Sequence, residues 1–180
     1  MCARNQQRLD ALHHALIAEG AQSQRSTDPA ELLGSADIVI AVAGMTDGKL
    51  AVDKLNKEAI ICDAGYPHNL DSDHDVSCER LFHGGMGEVI GGFHGTGGLL
   101  EKFYRHPLPN IGHGCMLEGM LLAMEQCYES FSYGRGNITP KQIERMRVMA
   151  ERHGFRVAPL FNQHGLWASP EGASRRNALP

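Results

Sequence analysis

A chain of 180 residues and 19.7 kDa has room for one domain and little more. With 42% hydrophobic and 21% charged residues it is not a disordered chain, a collagen or a disulfide miniprotein. Its 17 Lys and Arg against 21 Asp and Glu give a net charge of −4, without the basic footprint of a nucleic-acid binder.

Gln6 to Glu19 reads as an amphipathic helix, because Leu9, Leu12, Leu16 and Ile17 fall near one face and Gly20 follows as a stop. Ala21 to Gln24 reads as an edge strand, and Asp28 with Pro29 at the first helical position opens a second, short helix. Ala36 to Ala43 is an apolar, β-branched run, expected as a strand buried on both faces of a parallel sheet. Leu50 to Asn56 forms a helical turn or two, Ala59 to Ala64 a second buried strand, and Arg80 to His83 a weaker third. Gly84 to Gly98 holds eight glycines in fifteen residues and reads as a tightly turned loop. Gly112 to Phe131 is the strongest helix, apolar around so much of its girth that it is expected to be central and buried. Thr139 caps a further helix with Pro140 at its first position, ending at Gly154, and Phe155 to Leu160 reads as a short strand. The fold class is therefore α/β, a partial Rossmann-like parallel sheet followed by C-terminal helices. Residues 1–110 read as a partial NAD(P)-binding region, 111–162 as a helical region carrying the candidate nucleophile, and 163–180 as a disordered tail.

Ligands of open α/β sheets bind beyond the carboxyl ends of the strands. Here those ends are Ala43 to Gly48 and Asp63 to Pro67. Neither G-x-G-x-x-G nor G-x-x-x-x-G-K-[ST] occurs, so the pyrophosphate-binding turn of a dinucleotide fold is missing. Cys115 opens the long helix after Gly112-His113-Gly114, where unpaired helical N–H groups favour a thiolate. His113 is placed to assist as a base, and Glu118 lies one turn on. A lone helical cysteine is more often a small core residue, and that alternative stays open on these residues alone. Cys62 and Cys127 read as core and Cys78 as a surface loop residue. The ten histidines have no paired metal-ligand spacing, so no metal is expected. No apolar stretch reaches membrane-spanning length, no apolar leader follows Met1, and the five cysteines without paired spacing suit a reducing cytoplasm.

Five stretches resemble the long-chain acyl-ACP reductases, the enzymes that make fatty aldehydes in cyanobacteria and related bacteria. They are Ala3 to Leu9, Ala36 to Ile40, Asp63 to Asp71, Cys115 to Leu122 and Phe131 to Arg135. The Gly-Tyr-Pro-x-Asn-Leu-Asp segment from Gly65 and the Cys-x-x-Glu helix are the most specific, and the resemblance runs from Ala3 to about Phe161. It implies that Cys115 takes the acyl group from acyl carrier protein or acyl-CoA as a thioester. Hydride from NADPH then releases the aldehyde. It also implies that Arg4 meets the 2′-phosphate of NADP, with Gly44, Met45, Thr46, Gly65, Tyr66 and Pro67 facing the nicotinamide half. The resemblance begins past the second strand of the dinucleotide fold. The first strand, its Gly-rich turn and the family's N-terminal portion are expected to be missing, and NADPH binding by the chain alone to be weak or absent. The expected partners are the acyl donor and either a second copy or the missing N-terminal half. Two other readings compete: a glutamyl-tRNA reductase or shikimate dehydrogenase relative, and a non-catalytic half-Rossmann module.

Overall fold

Asn5 fixes where the first helix starts. Its side chain accepts from the Arg8 N–H at 2.9 Å, which serves one of the amides that a helix start leaves without an acceptor. The computed structural model describes residues 1–42, 50, 52–66, 68–70, 80–93, 108, 110–131 and 138–167. Within them, α1 runs Gln6–Ala18 as expected, and Gly20 ends it at φ +81° with its N–H on the Ile17 carbonyl. Two compact units divide the chain, residues 1–82 with 169–180 and residues 83–168.

In the first unit, Ala21 to Gln24 carries no strand. Cys2 instead makes an isolated parallel bridge with Ser26, supported by the Met1 amine on the Gln24 carbonyl at 2.7 Å. The second helix, α2, spans Ala30–Leu33. Pro29 is its cap rather than its first residue, and Asp28 Oδ1 accepts from the Ala30 N–H at 2.9 Å. β1 (Ile38–Ala41) and β2 (Ile60–Asp63) pair in parallel, Ile38 opposite Ile60 and Ala41 opposite Asp63. A 3-10 turn at Val52–Lys54 lies between them. β1 is not buried on both faces. Ile61 and Asp63 are buried beside the half-buried Val39 and Ala41, but on the other face Ile38 and Ile40 are 65% and 66% exposed. β3 (Leu81–His83) follows, and the Ile61 N–H donates to the Arg80 carbonyl at 2.7 Å.

The second unit departs further from a parallel sheet. β4 (Met86–Val89) is the middle strand of an antiparallel sheet, with β5 (Ile111–His113) on one side and β6 (Phe155–Val157) on the other. β4 thus lies inside the segment read as loop. Its glycine is a packing residue: Gly87 sits opposite Gly112, and a Cβ on Gly87 would stand 2.5 Å from Leu117 Cδ1. A Cβ on Gly112 would meet Met116 Cε at 2.7 Å. The two glycines form a flat floor under α3, which spans Gly114–Met124 and is shorter than expected at both ends. Gly112 and His113 pair with Gly87 and Met86 in the sheet, so the helix begins only at Gly114. Beyond Met124, Gln126 takes φ +52° and turns the chain away. Nor is α3 buried all round: Leu117 and Leu121 face the core, while Cys115, Gly119, Ala123 and Met124 are exposed. Leu117 and Leu121 pack with Val89 and Phe155, each contributing roughly 1.5–3 kcal/mol.

α4 (Pro140–Arg152) has the expected start, a capping box in which Thr139 and Gln142 exchange hydrogen bonds. β7 (Phe161–Asn162) and β8 (Gly165–Leu166) form a hairpin, so residues 163–167 hold regular structure where a frayed tail is read. Phe161 pairs antiparallel with His83 and is 2% exposed. β1 with β2 and the isolated Cys2–Ser26 bridge pair in parallel. No helix of these residues is long and apolar enough to cross a membrane.

Candidate functional site

The candidate nucleophile stands where a strand feeds a helix without a loop. His113 ends β5 with extended backbone, φ −63° and ψ 136°, and also serves as the N-cap of α3. Gly114 is the first helical residue, and its N–H donates to the Gly85 carbonyl at 2.8 Å. A Cβ on Gly114 would stand 3.0 Å from that carbonyl oxygen, so a side chain there makes the backbone at Gly85 give by a few tenths of an ångström. Cys115 follows in the first turn and is exposed. A strand running directly into a helix displays the first-turn side chain at the end of the sheet, the geometry by which such elbows present a nucleophile. The N-cap side chain makes no capping hydrogen bond, so first-turn amides keep their partial positive charge beside the thiol. Glu118, half-buried, lies one turn along the helix. His113, Cys115 and Glu118 thus lie at the β5–α3 junction, from the last strand residue to the second turn of the helix.

The remaining cysteines differ. Burial pushes the Cys62 thiol up, and the Asp63 charge adds to the effect. Burial likewise raises Cys2, despite the nearby amino terminus. Cys127 is half-buried and lies 3.3 Å from both Glu129 Oε1 and Arg145 Nη2, a polar setting rather than the core. Cys78 lies outside the described residues.

The first unit holds the other candidate residues. Arg4 is exposed, just past the Cys2 bridge and just before α1. Gly65 and Tyr66 follow β2; Gly65 is buried and Tyr66 is 72% exposed. Gly44, Met45, Thr46 and Pro67 lie outside the described residues.

Sequence reasoning missed the residue that shapes this strand end. Asp63, 1% exposed, accepts from the Gly65 N–H at 3.1 Å, the Asn69 N–H at 2.7 Å, Asn69 Nδ2 at 2.8 Å and the Leu70 N–H at 3.1 Å. His68 Nδ1 is 3.8 Å from Asp63 Oδ2. The Asn69 carbonyl in turn accepts from the Leu50 N–H at 3.1 Å, so the chain after β1 is fastened to the chain after β2. The Asp-x-Gly spacing of an Asx turn is the signal that would have found it. Among the described residues, no group of three or more His, Cys, Asp and Glu is placed to hold a metal ion.

No protein-family profile matches the chain. Over 163 residues, 89% of this chain, it is 30% identical to a long-chain acyl-[acyl-carrier-protein] reductase of Synechococcus elongatus, in a match covering 45% of that protein. Over 137 residues, 75% of this chain, it is 28% identical to the aminotransferase PigE of a Serratia species, in a match covering 15% of that protein. The chain spans less than half the length of these curated relatives.

Proposed function

We propose that this chain is the thioester-forming and hydride-accepting part of a reductase that converts a long-chain acyl thioester to the fatty aldehyde. The observation that carries the reading is Cys115, exposed at an uncapped helix start directly after a strand. The similarity to an acyl-[acyl-carrier-protein] reductase supports the same chemistry and the oxidoreductase class.

The Cys115 thiolate attacks the acyl carbonyl carbon, a new C–S bond forms, and the C–S bond to the carrier or to CoA breaks, releasing its thiol. The first-turn amides favour the anionic sulfur before attack and again when it leaves. His113 takes the proton of the Cys115 thiol, and Glu118, one turn along the helix, is the second acid–base group of the site. When bound, NADPH would supply the hydride by which the Cys115 thioester is released as aldehyde. Exposed Arg4 suits the 2′-phosphate, and Gly65 and exposed Tyr66 suit the nicotinamide half. The G-x-G-x-x-G turn that holds a pyrophosphate does not occur in the sequence. Acyl carrier protein or acyl-CoA is the acyl donor, and the cytoplasm is the compartment that keeps the thiol reduced.

The test reads the first half-reaction alone. The chain is incubated with palmitoyl-CoA and its mass measured, with Cys115→Ser in parallel. One added acyl group on the wild type and none on the variant is the expected result. Acylation that survives in the variant, or never occurs, sinks the proposal and favours the other reductase or the non-catalytic module.

A further inference from the structure

We infer that the Asn69 side-chain oxygen accepts a hydrogen bond from the carboxamide NH2 of the nicotinamide ring, and so positions that ring beyond the carboxyl ends of β1 and β2. The inference rests on the proposed reductase function and adds to its cofactor site a residue that orients the ring.

Asn69 stands where two strand ends are tied together. Its N–H donates to Asp63 Oδ2 at 2.7 Å, at the end of β2. Its carbonyl accepts from the Leu50 N–H at 3.1 Å, on the chain that follows β1. The two strands are parallel neighbours, and open α/β sheets hold their ligands beyond the carboxyl ends of such strands.

The side-chain amide is only half used. Asn69 Nδ2 donates to Asp63 Oδ1 at 2.8 Å, and a carboxylate only accepts, so the amide cannot be turned the other way round. Asn69 Oδ1 is thereby directed away from the carboxylate. It is buried, in a residue 1% exposed, and among the described residues no donor reaches it. Buried amide oxygens ordinarily accept from some donor, so this one calls for a donor from outside the fold.

Chemistry narrows that donor. A phosphate offers acceptors alone and is repelled by an amide oxygen. A metal ion would need the Asp63 oxygens, yet each of these already accepts from two N–H groups, those of Gly65 and the Asn69 side chain on Oδ1 and those of Asn69 and Leu70 on Oδ2. A ribose hydroxyl can donate, but it belongs beside the phosphates at the wet part of the cofactor. The carboxamide is flat and uncharged, carries two N–H donors, and sits on the ring that must be buried to react. An acceptor held in place by Asp63 fixes the turn of that ring, and with it the face that offers the hydride.

The isotope-labelled chain is titrated with NADPH and with its reduced analogue that has an acetyl group in place of the carboxamide, so that a methyl replaces the NH2. Millimolar ligand is used, since the sequence lacks the pyrophosphate turn. Shifts of the Gly65 and Leu70 amides give both dissociation constants, and the Asn69 NH2 signals report the contact itself. The wild type should bind NADPH about fivefold or more tightly than the analogue, which leaves Oδ1 unpaired, and the Asn69 NH2 signals should move with NADPH alone. Asn69→Ala keeps the backbone N–H donors to Asp63 and should bring the two constants within about twofold of each other. A merely structural role for Asn69 weakens both ligands alike and leaves their ratio unchanged, which overturns the inference. Equal binding of the two ligands by the wild type, or no shift with NADPH, overturns it without any variant, and an internal water is then the partner of Oδ1. Palmitoyl-CoA acylation of Cys115 is measured in the same samples. Acylation without discrimination between the ligands removes this inference and leaves the proposed thioester chemistry, whereas discrimination without acylation does the reverse.

Discussion

Four N–H groups converge on one carboxylate at Asp63, and this residue does more for the β2 strand end than any glycine around it. Removing a buried acceptor leaves its donors dry and unpaired, which costs far more than the net value of the bonds themselves. Asp63→Ala should therefore destabilise the chain by about 3 kcal/mol or more, read as the shift of a urea unfolding curve. Asp63→Asn keeps the size but turns an NH2 group toward donors, and should recover only part of that loss. Gly65 and Tyr66 are conspicuous in the sequence because glycine and aromatics next to a strand invite a ligand. Asp63 is not, because its effect is visible only once the chain has turned back six residues to Asn69. Cys115 was legible for the opposite reason. A cysteine at a helix start is a local feature, and the strand that precedes it only sharpened its placement.

Helix ends were legible where a side chain caps them and obscure where a sheet competes for the backbone. Thr139, Pro140 and Gln142 announce α4, and the structure follows. Gly112 and His113 continue the apolar helical pattern in sequence, yet pair with Gly87 and Met86. Inside α3, Gly119 has open space where a Cβ would stand and is not at positive φ. Gly119→Ala should raise stability by about 1 kcal/mol, measured by thermal unfolding, because alanine gives up less chain entropy in a helix. At the far ends of α3 and α4, Glu125 bonds His153 Nε2 at 2.8 Å and Arg152 Nη1 at 2.7 Å. The His153 hydrogen bond first, and Arg152 with it, hold the Glu125 carboxyl below its ordinary value of 4.5. A carboxylate lowered on folding adds stability above its unfolded pKa, and that stability is lost as the pH falls through the folded one. Glu125→Gln should thus flatten the acid limb of the stability profile below about pH 4.5 and leave its neutral part with the same slope.

For the chain as a whole, the first unit was the more readable. Continuous β-branched runs such as Ile38 to Ile40 announce themselves at any position in a sheet, although the pattern cannot say which face is covered. The second unit is built from strands of two to four residues rich in glycine, too short for a period to emerge. Its antiparallel pairing is decided by contacts far apart in sequence, such as Glu88 with Arg156. Partial desolvation raises the thiols of exposed Cys2 and half-buried Cys62, whereas exposed Cys115 stands at a helix start. Brief alkylation with iodoacetamide at neutral pH, followed by peptide mapping, should label Cys115 well ahead of those two. Equal labelling would remove the special status of Cys115.

The facing glycines Gly87 and Gly112 also set a pattern of mutational tolerance. A Cβ at either would come within 3 Å of the tip of a helix side chain, Leu117 or Met116, so alanine makes that tip shift and each larger side chain demands more. Two places along β6 from Phe155, Val157 is exposed and has room for almost any residue. A saturation library scored for folded protein should therefore show two narrow columns of intolerance, at 87 and 112, beside permissive strand positions. Natural drift of this sequence would leave the same mark: variable strand surfaces around two positions that stay without a side chain.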